Sequence, residues 1–218
     1  IEQAIASETG PGRIVVVAAG NEGEDQIHWS GVLTLGQDLI IPFRVMDPSS
    51  QFIDVWIARG DEVDIVVEDP DGNRFAPDGE PHLGPAGELI ADSRIDQFNQ
   101  DHNLTVFIAG GVAGSRWQIR LTPQRVVHGD VHAWGGTSDP AVPASIFPTT
   151  SDFGFTVGIP ATGERAISVA SFVSRATMPV KGAKALKAAK AVSEVLREGG
   201  LSPFSSLGPT RIGDQRPD

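Results

Sequence analysis

Apolar and polar positions follow two different rhythms along this chain, and the rhythm changes twice. Ile1, Ala4, Ile5 and Glu8 fall on helical spacing, and Gly10-Pro11-Gly12 stops that helix. Arg13 to Ala19 is then a continuous run of β-branched and small apolar residues, which predicts a strand covered on both faces in a parallel sheet. The run ends in Gly20-Asn21-Glu22-Gly23, a turn by composition. Helix, tight turn, buried strand and glycine turn together predict an α/β architecture at this end.

From about Ile27 to Trp134 short alternating segments replace that pattern: 32–35, 39–45, 52–57, 63–68, 104–108, 117–121 and 126–134. Trp117, Ile119 and Leu121 face one way and Gln118 and Arg120 the other, which is the period of a half-buried strand. Turn clusters such as Asp47-Pro48-Ser49 and Asp69-Pro70-Asp71-Gly72-Asn73 separate the segments. Such a series predicts a β-sandwich of the jelly-roll kind. After a proline-bearing linker, 135–148, the first rhythm returns. Ala166 to Phe172 reads as a second buried strand. Leu186, Ala189, Val192 and Leu196 predict a helix over about 182–198, with Lys181, Lys184, Lys187 and Lys190 on its solvated side. The expected organisation is residues 1–27 and 137–218 as two parts of one α/β domain, split by an all-β insertion over 28–136.

Charge and composition narrow the functional classes. The 218 residues carry 17 Lys and Arg against 28 Asp and Glu, a formal net charge of -11. No nucleic-acid partner is expected of such a surface, because phosphate contacts need clustered cations. The longest apolar run, Ile14 to Ala19, is far short of the roughly 20 residues of a membrane helix, so no membrane partner is expected either. Cysteine is absent, which removes disulfides, thiolate metal cages and a cysteine nucleophile from this chain.

Three strings carry the chemistry. Val15-Val16-Val17-Ala18-Ala19-Gly20-Asn21-Glu22-Gly23 ends the first apolar run. Val157-Gly158-Ile159-Pro160 precedes the second. Ser202-Pro203-Phe204-Ser205-Ser206-Leu207-Gly208-Pro209-Thr210 follows, leading to Arg216-Pro217-Asp218. In this order they resemble the subtilisin-like serine peptidases, over less than half the chain. The all-β block resembles the jelly-roll domain inserted at this point in a bacterial branch of that family, which includes the spore-germination proteases. The resemblance implies a partial three-layer parallel-sheet fold and, for the complete protein, endopeptidase activity through a serine acyl-enzyme, with peptide or protein as substrate. It also implies a secreted or cell-surface bacterial location.

Acyl transfer from a peptide passes through a tetrahedral intermediate whose oxygen becomes an anion, stabilised by donors fixed in advance. An asparagine amide offers N–H without charge. Asn21 aligns with the family's oxyanion asparagine, so the resemblance assigns it that role. Ala18, Ala19 and Gly20 align with the strand bordering the pocket for the side chain before the cleaved bond, and Gly158 with a residue at its base. Small residues there imply room for a large apolar side chain. The matching proline in the family follows a cis peptide, which marks Ile159-Pro160 as a candidate. The family's Asp and His motifs would precede Ile1 and its Gly-Thr-Ser motif would follow Asp218. The chain is thus expected to be an interior slice, inactive alone, with cut surfaces that favour self-association.

Other motifs yield to simpler readings. Gly136-Thr137-Ser138 imitates the nucleophile motif, but Pro140 and Pro143 forbid the helix that would have to follow it. His128 and His132, four apart in a strand, would stand about 13 Å apart and so read as solvent-facing. Asp69 to Asn73 reads as a turn between strands because it lacks the spacing of a calcium loop. No cofactor and no metal site are assigned; calcium is a family-level expectation for the complete protein only. Two rival functions remain open. One is a non-catalytic pseudoprotease. The other is a partner-binding β-sandwich whose Trp56, Trp117 and Trp134 stack on sugars.

Overall fold

The computed structural model describes residues 1–138, 146–147, 153–174 and 197–211. The chain divides into two compact units, one formed by Ile1–Glu24 with Phe153–Asp218 and the other by Asp25–Asp152.

The first unit begins with α1 (Glu2–Glu8), where Thr9 N–H donates to the Ile5 carbonyl (3.0 Å) before the chain turns extended. Strand β1 (Val15–Ala18) follows. The second unit supplies β2 (His28–Val32), β3 (Leu39–Arg44), β4 (Gln51–Ile57), β5 (Glu62–Glu68), β6 (Arg74–Phe75), β7 (Asp78–Gly84), β8 (Gly87–Ile95), β9 (His102–Ala109), β10 (Arg116–Arg125) and β11 (Asp130–Thr137). Returning to the first unit, β12 (Ala166–Val169) pairs with β1 in parallel, Val15 opposite Ala166 and Ala18 opposite Val169.

The second unit is all β. Its strands form a six-stranded sheet in the order β2-β11-β4-β9-β8-β7 and a four-stranded sheet in the order β3-β10-β5-β6, every neighbouring pair antiparallel. Alternation builds the core between them. Ile53, Val55 and Ile57 of β4, with Leu104, Val106 and Ile108 of β9, meet Ile41, Phe43, Trp117, Ile119 and Leu121 of the smaller sheet. Fully burying one such side chain contributes about 1.5–3 kcal/mol. Ile146 and Phe147 complete this core, the Ile146 carbonyl accepting from Arg44 N–H at 2.9 Å. The buried Asp61 carboxylate holds the turn into β11 by accepting the N–H groups of Val127 (2.5 Å), His128 (2.9 Å) and Gly129 (2.7 Å).

The expected partial three-layer α/β fold with a parallel sheet is not what forms. Among the described residues there is one helix, α1, with no buried side chain, and one parallel pair, β1 with β12; all other strand pairs are antiparallel. A strand covered on both faces needs a layer on each, and the described residues do not supply both for β1. Its side chains alternate between half-buried and exposed, with Val16 61% exposed, and β12 is buried on one face only. The apolar runs are therefore one-sided strands, since an apolar run cannot by itself report whether a second layer covers it. The helix expected over 182–198 falls, except for its last two positions, outside the described residues. Arg197 and Glu198, those last two, are not helical.

Smaller expectations are also corrected. The strand expected at 32–35 ends at Val32, and the segment expected from 126 becomes strand only at Asp130, after the Asp61-bound turn. The expected linker does not start at Gly135, because β11 runs to Thr137. Gly136-Thr137-Ser138 is accordingly a strand end, with Ser138 N–H donating to the Ser50 carbonyl (2.7 Å). Asp69 to Asn73 does turn between β5 and β6, the Asp69 Oδ1 accepting the N–H groups of Asp71 and Asn73, both at 2.9 Å.

Candidate functional site

Strand β1 delivers its last residues to a loop that three distant segments hold in place. Ala19 N–H donates to the Val169 carbonyl (3.0 Å), which extends the β1–β12 ladder by one step. The Ala19 carbonyl in turn accepts from Gly158 N–H (3.0 Å), so the Val157 to Pro160 segment docks against the strand end. That segment turns back at once, with Ala161 N–H donating to the Gly158 carbonyl (2.8 Å), across a cis Ile159-Pro160 bond. The Gly208-Pro209 bond is also cis.

The serine-rich segment closes the loop from another side. Gly23 N–H donates to the Phe204 carbonyl (2.9 Å) and Ser206 N–H to the Gly20 carbonyl (3.2 Å). Ser206 Oγ accepts Glu22 N–H (3.1 Å) while donating to Glu22 Oε2 (2.8 Å). The same Glu22 Oε2 accepts Asn21 N–H (2.7 Å). Ser205 Oγ accepts Ser171 N–H (3.1 Å), and Ser171 Oγ meets Ser202 Oγ at 3.0 Å. Thr156 and Leu207 hold each other chiefly through Thr156 N–H to the Leu207 carbonyl and Leu207 N–H to Thr156 Oγ1, both at 2.9 Å.

Two glycines make this fit possible. Gly20 has φ +123°, a conformation other residues rarely adopt, and a Cβ there would stand 2.5 Å from both Ser206 Oγ and Glu22 Oε2. A Cβ at Gly23 would stand 2.1 Å from the Ser205 carbonyl oxygen, a backbone atom that cannot swing aside.

The residues singled out from the sequence therefore come together. Ala18 is exposed, Ala19 buried, Gly20 half-buried and Gly158 exposed, with no atom within 4 Å of where a Gly158 Cβ would be. Asn21 is exposed at the loop apex, its backbone N–H tied down and its side chain facing solvent. This arrangement can present an uncharged amide donor at a fixed place beside an open, apolar-edged surface. Glu22 and Ser206 were missed as contributors. They are 184 positions apart, so no local spacing could pair them; the one available signal was that Phe-Ser-Ser belongs to a recognisable string.

The remaining candidates sit in the all-β unit. His128 is exposed in the turn before β11, but His132 is not simply solvent-facing as expected. Its Nδ1 lies 3.0 Å from Nε2 of the buried His28, and both rings pack on Trp134. His28 carried no spacing signal, because antiparallel β2–β11 pairing alone joins the two. Trp117 is a core residue against Phe43, with ring centroids 6.4 Å apart, so the three tryptophans do not form one platform. Among the described residues no three His, Asp or Glu side chains gather closely enough to hold an ion.

No protein-family model matches the chain, and no curated protein matches it significantly. Among solved structures, the CspB protease of Clostridium perfringens is similar over 100% of this chain, with a TM-score of 0.68 and 20% sequence identity. The chain spans 42% of that protein's length. At this identity the likeness is one of fold: the chain is folded like part of a protease.

Proposed function

We propose that this chain is the oxyanion-bearing part of a subtilisin-like serine endopeptidase, with the all-β unit as its jelly-roll insertion. The reading rests chiefly on one observation: the three sequence strings that resemble the family, far apart in the chain, meet at the Asn21 loop. In this reading the Asn21 side-chain amide donates to the carbonyl oxygen of the scissile peptide as it becomes an oxyanion. Ala18, Ala19, Gly20 and Gly158 border the pocket for the preceding side chain. The openness around Gly158 and the exposed Ala18 suit a large apolar group there. The nucleophilic serine, its histidine and its aspartate come from other parts of a longer protein, which makes this chain inert alone. The likeness to a protease fold supports the peptidase class.

The test is made on the full-length protein. A serine-directed fluorophosphonate should label it, and it should cleave peptides with apolar residues before the scissile bond. Asn21→Ala should lower kcat by roughly 10²–10³ with little change in KM, a magnitude that itself comes from the resembled family. Neither labelling nor cleavage in the full-length protein would refute the reading. Cleavage of casein by the 218-residue chain alone, inhibited by the same reagent, would refute its inertness.

A further inference from the structure

We infer that Glu22 and Ser206 form a latch that positions Asn21, an assignment that rests on the oxyanion role proposed above. One carboxylate oxygen, Glu22 Oε2, takes both Asn21 N–H at 2.7 Å and the Ser206 hydroxyl at 2.8 Å. The same hydroxyl takes Glu22 N–H at 3.1 Å, and Ser206 N–H holds the Gly20 carbonyl at 3.2 Å. The peptide groups on both sides of Asn21 are thereby fixed to a single residue of the 202–210 segment. Ser206 is fully buried and cannot move toward solvent without losing those bonds. The side chain of Asn21 has no such support, since it is exposed. Its aim is therefore set by its backbone, and its backbone by the latch.

Neither Glu22 nor Ser206 needs to touch substrate for this. They are positioning residues, and their effect should pass through Asn21 alone. A donor serves an oxyanion only where it already points at the developing charge, and a displacement near 1 Å can cost on the order of 100-fold. Losing half the latch should displace the loop by less than that. The carboxylate acts here as an acceptor rather than as a charge, so a glutamine whose carbonyl oxygen occupies the same place keeps both bonds.

The experiment uses the full-length protein with a chromogenic peptide substrate. Ser206→Ala and Glu22→Ala should each lower kcat about tenfold while KM changes less than about twofold, because the lost contact is made in the transition state. Glu22→Gln should recover kcat to within about threefold of the parent. In an Asn21→Ala background, either alanine substitution should lower kcat by less than about twofold further, because the group they aim has gone. Thermal unfolding of each variant separates loss of fold from loss of aim, and Glu22→Ala, at a half-buried site, provides the variant least prone to misfold. Equal losses in the two backgrounds, or unchanged kcat in both alanine variants, would overturn the latch while leaving the peptidase reading intact. An inactive, unlabelled parent protein would overturn the peptidase reading, and the latch's catalytic role with it.

Discussion

In the all-β unit the groups sealed from water are Ile41, Ile53, Val55, Leu104, Ile119 and their neighbours; in the unit carrying Asn21 they include Ser168, Ser202, Ser205, Ser206 and Thr156. The second unit encloses apolar area between two sheets, whereas the first ties loops together with buried hydroxyls. It also leaves apolar side chains outside: Ile14 is 74% exposed, and Val16 and Ile167 lie opposite each other on the open face of the β1–β12 pair. Apolar burial is non-directional and tolerates small shifts. Hydroxyl bonds fix direction, and a buried polar group left unpaired costs about 1–3 kcal/mol. The contrast suits a division between a unit that supplies stability and a loop that must hold one donor in one place.

Matched substitutions test that division most sharply. Leu104→Ala removes a side chain wholly enclosed between the sheets and should destabilise the all-β unit by about 2–5 kcal/mol. Val16→Ala, on the exposed face of β1, should change stability by no more than about 0.5 kcal/mol. All four tryptophans lie in the all-β unit, so urea unfolding followed by hydrogen exchange, resolved at β4 and β9 and at the β1–β12 pair, reads both, and comparable losses would break the contrast. The next effect down belongs to the all-β unit's own exception to apolar burial. Asp61→Ala strips the shared acceptor from three N–H groups at the β11 turn and should cost about 1–3 kcal/mol, with hydrogen exchange quickening first at Val127 to Gly129. Exchange that stays slow there would mean that the turn holds without its carboxylate.

Legibility in the sequence followed the same division. Strands β4, β5, β9 and β10 were readable because one face is buried and the other wet, which imprints period two on the residues. The β7–β8 hairpin was missed: β7 is an edge strand with no buried residue and contains Pro81, so nothing forces its residues to alternate. At the candidate site, Asn21 and its flanking small residues were legible as a string, and Gly20 through its turn composition. The Glu22–Ser206 contact and the His28–His132 pair were not, since each is created by pairing between segments more than a hundred residues apart. The parallel three-layer fold was over-read for a related reason. A run such as Val15-Val16-Val17-Ala18 is equally apolar whether or not a layer covers its second face, and here Val16 lies largely exposed.

The smallest expected effect is one of pH, and it sets the all-β unit apart once more. Burial holds the His102 imidazole below its ordinary value of about 6.5, because the half-buried site disfavours the charged ring. Its Nε2 meets Ser93 Oγ at 2.5 Å, and β9 pairs it between Ile95 and Ile57. With the folded value lowered, the unfolded chain binds the proton more readily. The contribution to stability is present above about pH 6.5 and is lost as pH falls through the lower folded value. Urea midpoints of the all-β unit should therefore decline as pH drops from 7.5 to 5. His102→Gln should make that decline shallower, since glutamine fills much of the space without titrating. Identical slopes would show that the acid sensitivity does not arise at His102.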